Sequence, residues 1–447
     1  MKKRFALICA SMLAIIAAQA APRYIFYFIG DGMGMGHAIA TKNYLRVTTG
    51  DPDAKPLMMT FPFVGIASTV SASSPVTDSA ASGTALATGT KTKNYMIGMN
   101  PDSVAVTSIA KQLHDQGYGV GLITTVAPDD ATPAAFYAHV PNRKMFDEIA
   151  RDAIASDYEF IGGANLRGNK GLVGEFEKAG VKVVRGAEPC RRAIDSRRVL
   201  LLNTDTVHAN EIGYAIDSID GVLTLPVMMD LCLEHLNKHT PEKFFMMVEG
   251  GSIDHAAHSN DPAAVIKEMV MFNNTLAKAY EFYLAHPDET LIVVTADHDT
   301  GGMANTGKWD NIANVDYQRI SKDAFNEWFR EYMKEYPSAT WEQFNEPLKH
   351  YFSLGNGIKL SDKQMATLKQ LFEEQVSGIG GNEQRTLYAS YANFTNELFN
   401  AISHALGYKW ITNNHTGNPV GIYAVGVGAD RFSRVLENSD IPRLIME

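Results

Sequence analysis

This 447-residue chain is short of cysteine, of tryptophan and of long apolar runs, and each shortage excludes something. It carries 3 Cys and 4 Trp. Three cysteines cannot build a disulfide-stapled scaffold or a thiolate metal cage, so stability must come from a packed core. Past residue 20 no stretch approaches the roughly 20 apolar residues of a membrane span, which excludes a polytopic membrane protein. Positive charge is not in excess: 40 Lys and Arg stand against 50 Asp and Glu, a formal net charge of −10. A general nucleic-acid binder would show the opposite balance. An anionic small substrate stays open, because bound metal ions reverse the sign locally. What remains is ordinary, with 45% apolar and 20% charged residues, and that excludes disordered, collagen-like and coiled-coil chains. The length suits one large α/β unit with insertions or two to three smaller ones.

The N-terminus reads as a secretory leader. Lys2, Lys3 and Arg4 precede an apolar run from Phe5 to Ala18, and Ala18-Gln19-Ala20 is a small-residue cleavage site. Residue 21 is Ala, so a lipoprotein signal is not supported. The expectation is an exported, periplasmic protein without an anchor in the mature chain. Cys9 would leave with the leader; Cys190 and Cys232 could form one disulfide or remain two buried thiols.

Short apolar runs alternate with helical patterns, which predicts an α/β fold: a mostly parallel central sheet with helices on both faces. Strands are expected at Tyr24–Ile29, Gly119–Thr124, Arg198–Leu202, Phe244–Val248, Leu291–Thr295 and Val420–Val427, with helices at Val104–His114, Lys144–Ala155, Leu223–Leu236 and Ala263–Leu284. From about Trp309 to Leu406 charged and aromatic residues recur at helical spacing without a strong strand run. That segment reads as a helical insertion within a single catalytic domain spanning 21–447, either surface packing or a lid or dimer contact.

Four clusters carry chemistry. Asp31 follows the first strand within Gly30-Asp31-Gly32-Met33-Gly34, where open α/β sheets place ligands. Ser79, in Thr77-Asp78-Ser79-Ala80-Ala81-Ser82-Gly83-Thr84-Ala85, opens a helix of small residues. Such a serine is an N-cap or an anion-facing nucleophile; as nucleophile it needs activation, and a metal ion is the natural means. Asp130 and Thr132 lie beyond the strand Gly119–Thr124, with Arg143 further on as a planar fork for phosphate oxygens. Glu249 ends a fourth strand and leads into Gly250-Gly251-Ser252-Ile253-Asp254-His255-Ala256-Ala257-His258, in which Asp254 and His258 share a helical face. Asp297-His298-Asp299 follows another strand, and His415 precedes the last. Nitrogen and oxygen ligands without thiolates suit Zn²⁺ with Mg²⁺ alongside.

In this order the motifs GDGMG, TDSAASGTA, DATPAA, VEGGSIDHAAH, TADHD and HTG resemble those of the alkaline phosphatases, metal-dependent phosphomonoesterases. They span nearly the whole mature chain. The resemblance implies two zinc ions, one held by Asp254, His258 and His415 and one by Asp297, His298 and Asp31, plus one magnesium ion on Asp31, Thr132 and Glu249. It implies that Ser79 attacks phosphorus in line to give a covalent phosphoserine, that Arg143 grips the non-transferred oxygens, and that the enzyme is a homodimer acting on small-molecule phosphate monoesters. The implied charge balance matches a monoester dianion better than a singly charged sulfate ester. Asp130 and His255, positions at which such enzymes vary, are expected beside the third ion. A phosphodiesterase of the same superfamily is the alternative; it would typically use threonine and lack Arg143.

Overall fold

The computed structural model describes residues 21–169, 171–204, 211–379 and 383–447; the leader lies outside them. Ten strands form one sheet: β1 Tyr24–Gly30, β2 Phe63–Ser68, β3 Gly119–Thr124, β4 Phe160–Gly163, β5 Lys182–Arg185, β6 Val199–Leu202, β7 Phe244–Glu249, β8 Thr290–Ala296, β9 Val420–Gly426 and β10 Val435–Glu437. Their spatial order is β10-β2-β9-β8-β1-β7-β3-β4-β6-β5. Only β9 runs against its neighbours, pairing antiparallel with β2 and β8.

The central strand β1 shows why a near-continuous apolar run belongs here. Its residues alternate between faces, and both faces are covered. Phe26 and Phe28 meet Phe282 and Phe272 of the helix Pro262–Ala285, at 5.5 Å between ring centres in each case. Tyr27, on the opposite face, packs on Phe136 and donates its hydroxyl to the Leu86 carbonyl in the helix Ser79–Thr88. The predicted strands are all present. Four further strands are short or lie toward the sheet's edges, where a weak apolar pattern suffices. The first predicted helix begins only at Ile109, capped by Ser108, because Val104 is 59% exposed and has no core to face.

The segment 309–406 packs around a cluster of aromatic side chains that continues the main core. Phe329, Phe344, Phe372 and Phe394 from four helices pack together, Phe344 stacking on Phe372 at 4.5 Å. It also contains a short hairpin, Gln384–Arg385 against Ser390–Tyr391, that the sequence pattern does not reveal. Cys190 and Cys232 are both buried free thiols. No helix among the described residues is long and apolar enough to cross a membrane.

Candidate active site

Register builds the site. In the four adjacent strands β8, β1, β7 and β3, Ile29 stands opposite both Glu249 and Thr295, and Glu249 opposite Thr124. The strands therefore stop at one level, and the residues that follow them meet. Asp31 leaves β1, Glu249 ends β7, Asp297 and His298 leave β8, and beyond β3 Asp130 caps a short helix, Ala131–Ala134, that carries Thr132. Gly32 makes the turn after Asp31 at φ +71°, a region open to glycine, and a Cβ there would lie 2.8 Å from Asp254 Oδ1. Its N–H donates to Asp297 Oδ1 at 3.0 Å.

Asp254 and His258 share one face of the helix Ser252–His258, with Oδ2 and Nε2 3.3 Å apart. His415 arrives from far along the chain because His415–Thr416 pairs antiparallel with Asp299–Thr300. That pairing stacks His415 on His298 at 3.6 Å. Among the described residues two groups have ligand atoms close enough to share an ion: Asp254, His298 and His415, and Asp31, Asp297 and His298. His258 adjoins the first, its Nε2 3.1 Å from that of His415.

These residues fit cations. His258 Nδ1 lies 2.6 Å from the Asn413 carbonyl and His415 Nδ1 lies 2.9 Å from that of Thr77, so both rings carry their proton on Nδ1. Their Nε2 lone pairs then face each other, an arrangement that calls for a positive charge. Thr300 gives its single hydroxyl proton to Asp254, so it accepts from His298 Nδ1 and leaves the His298 Nε2 lone pair toward the same cluster. One oxygen each of Asp31, Asp254, Asp297 and Glu249 is buried without a hydrogen-bond partner. Burial, reinforced by neighbouring carboxylates, pushes Asp297 up to about 7, Glu249 up to about 8 and Asp31 well above the usual range. Asp254 is also buried, yet His258, His415 and His298 hold it well below that range. Thr132 Oγ1 lies 3.4 Å from Asp31 Oδ2, and Thr124 donates to Glu249.

Ser79 is the first residue of the helix Ser79–Thr88, and its Oγ lies 3.2 Å from His298 Nε2. It is not the N-cap: Asp78 caps the helix by accepting from the Ala81 N–H at 3.0 Å. The small residues of this helix answer a close approach. A Cβ on Gly83 would stand 3.2 Å from the Thr132 Cα. Arg143 is held between Asp130 (3.0 Å) and Asp78 (3.4 Å) with only 12% of its side chain exposed. Asp130 also receives Arg167 at 2.8 Å. Burial would raise the Asp130 pKa, but Arg143 and Arg167 bring it down to about 2. His255 pairs with Glu211 at 3.1 Å and packs against Tyr388.

Sequence reasoning did not find Asp78, Thr300, Arg167 or Tyr388. Asp78 and Thr300 had a signal, since each adjoins a motif residue at a turn. Arg167 and Tyr388 had none, because each comes from a loop outside the motifs. Replacing Asp78 with Ala removes a cap worth about 1 kcal/mol and one of the two carboxylates holding Arg143. The expected result is a small fall in thermal midpoint with a larger rise in KM for a phosphate ester; an unchanged KM would show that Asp130 alone fixes the guanidinium.

A family model described as alkaline phosphatase matches residues 23–162 and 155–447. Alkaline phosphatase 4 of Bacillus subtilis (strain 168) is 30% identical, over 95% of this chain and 88% of its own length. The crystal structure of a cold-active alkaline phosphatase from Shewanella sp. superposes with TM-score 0.78 at 27% identity, covering 94% of this chain and 98% of that one. That of Thermus thermophilus alkaline phosphatase gives the same TM-score at 24% identity, covering 95% and 90%. Fold and similarity together make the chain a phosphatase. It belongs to the alkaline phosphatase family, whose members are metal-dependent, and membership implies hydrolysis of phosphate monoesters.

Proposed function

We propose that this enzyme hydrolyses phosphate monoesters through a covalent phosphate on Ser79, with two zinc ions and one magnesium ion. The observation that supports this most is the set of buried lone pairs converging beside a serine hydroxyl. The first zinc would be held by Asp254, His258 and His415, the second by Asp297, His298 and Asp31, and magnesium by Asp31, Thr132 and Glu249. Such ions supply Lewis acidity, favouring ionised oxygens and neutralising the charge of the transferring group.

The chain's own residues do the rest. The helix Ser79–Thr88 fixes Ser79 Oγ beside His298 Nε2. The Ser79 hydroxyl gives up its proton as the Oγ–P bond forms and the P–O bond to the alcohol breaks, with the two oxygens in line, and the departing oxygen takes up a proton to leave as the alcohol. Water then attacks phosphorus, the Oγ–P bond breaks, and one proton of the water returns to Ser79 Oγ while its oxygen stays on the phosphate. Arg143, fixed by Asp78 and Asp130, offers paired N–H donors to the oxygens that are not transferred. Asp130 and His255 lie beside these groups and would tune the third ion and phosphate release.

Ser79 as nucleophile and Arg143 as clamp favour monoesters over diesters. The test compares a chromogenic phosphate monoester and a diester with the same leaving group on protein loaded with zinc and magnesium. Monoester turnover at alkaline pH far above diester turnover is expected; the reverse ranking overturns the reading. The protein is further read as exported to the periplasm, from the leader pattern, and as a homodimer. Val64, Ile66 and Val435, 44–80% exposed on one face of the β2–β10 edge, supply apolar surface for such an assembly. Light scattering on the purified chain decides the assembly, a monomeric mass ruling out the dimer.

A further inference from the structure

A cavity of about 150 Å³ opens beside Arg143 and is lined by Asp78, Tyr95, Lys144, Phe146, Arg167, Leu387 and Tyr388. A row of side-chain contacts links it to the candidate nucleophile. Ser79 Oγ contacts His298, His298 stacks on His415, and His415 meets His258. The Tyr388 ring packs edge-on against His258 at 5.1 Å. Tyr388 lines the cavity together with Arg143 and Asp78, so the cavity opens directly beside the guanidinium that would hold the phosphoryl group, where the alcohol portion of a bound ester would extend.

The cavity is cationic beyond what the phosphoryl group needs. Arg143, Lys144 and Arg167 face two carboxylates, Asp78 and Asp130. Asp130 takes Arg143 on Oδ1 and Arg167 on Oδ2, which places the two guanidinium groups side by side on one carboxylate. Arg167 spends only Nη1 on that pair. Its remaining guanidinium N–H groups make no hydrogen bond among the described residues, and its side chain is 23% exposed. Its plane is steadied by Phe146, with Cζ 4.6 Å from the ring centre. Lys144 is exposed and has no ion pair among the described residues. A fixed fork with free donors and a mobile ammonium are suited to an oxyanion, phosphate above all.

We propose that Arg167 and Lys144 form a second anion subsite, for a phosphate group carried by the departing alcohol, so that the preferred substrates are small bisphosphorylated alcohols. The proposal rests on the phosphomonoesterase reading. Arg143 serves the phosphoryl group being transferred and Arg167 the one that stays on the alcohol. Neither Arg167 nor Lys144 touches the reacting atoms, so their effect falls on substrate choice.

The test compares initial kcat/KM for 1,2-ethanediol bisphosphate and ethyl phosphate, two primary-alcohol esters that differ by the second phosphate. Metal-loaded wild-type protein at low salt is expected to favour the bisphosphate by about tenfold beyond the statistical factor of about two, with the preference shrinking as salt screens it. Lys144→Ala should cut the ratio about threefold, and Arg167→Gln should bring it close to the statistical value. Using the ratio cancels any general loss from disturbing Asp130 and Arg143. A wild-type ratio at the statistical value, or a ratio that survives both substitutions, overturns the subsite. Failure of metal-loaded protein to hydrolyse either ester overturns the phosphatase reading instead.

Discussion

Ser79→Ala, in protein loaded with zinc and magnesium, is expected to lower kcat by about 10³-fold or more, equivalent to about 4 kcal/mol of transition-state stabilisation. Ser79 Oγ is the hydroxyl set 3.2 Å from His298 Nε2 at the start of a buried helix. A substituted enzyme would need water to attack the ester directly, without a fixed oxygen. The helix itself should survive, because Asp78 and not Ser79 caps it, so the thermal midpoint should barely move. Acid quenching during turnover should trap phosphate on residue 79 of the wild-type chain and none on the variant. A variant retaining more than about a tenth of wild-type turnover would remove Ser79 from the chemistry.

Chelation is the second large effect, and it acts on stability as well as turnover. Each ion present at a thousandfold its Kd adds about 4 kcal/mol to the folded state, so stripping several sites should lower the unfolding midpoint markedly and abolish activity. The pH dependence of the stripped protein has a definite sign. Glu249 and Asp297 titrate near 8 and 7 when folded, against about 4.5 and 3.8 in the ordinary range. Above the ordinary histidine range of about 6.5, where the buried His298 and His415 are neutral in both states, these carboxyl groups hold more protons in the folded than in the unfolded state, so stability falls as pH rises toward 8. The metal-loaded protein should show no such decline, because cations replace the protons. Thermal melts of chelated and reloaded protein from pH 5 to 8.5 check both statements; a chelated protein that gains stability toward pH 8 would contradict the repulsion within the carboxylate cluster.

Much of this candidate site is legible in the sequence because the residues that would hold the ions are tied to strand ends. An apolar run that stops at a lone Asp or Glu, as at Asp31, Glu249 and Asp297, marks both a strand and the place where the sheet presents its side chains. The pair Asp254 and His258 is readable from helical spacing alone. Other features depend on contacts between distant segments. Arg143 alone gives no sign of being slung between Asp78 and Asp130. Arg167 and Tyr388 carry no local pattern, and their placement follows only from contacts with distant residues: Arg167 with Asp130 and Phe146, Tyr388 with His255 and His258. The short strands β4, β5 and β10 escape for a related reason: three or four residues hold too few alternations to announce a period.

The two-residue bridge that seats His415 against Thr300 also orders events in time. His415 Nδ1 bonds to Thr77, 338 residues earlier in the chain, and β9 slots between β8 and β2 only after both exist. A nascent polypeptide therefore holds an incomplete set of candidate ligands until His415 has emerged, and contacts of such long range close late in folding. Readiness to take up metal would thus double as a signal that synthesis has passed His415.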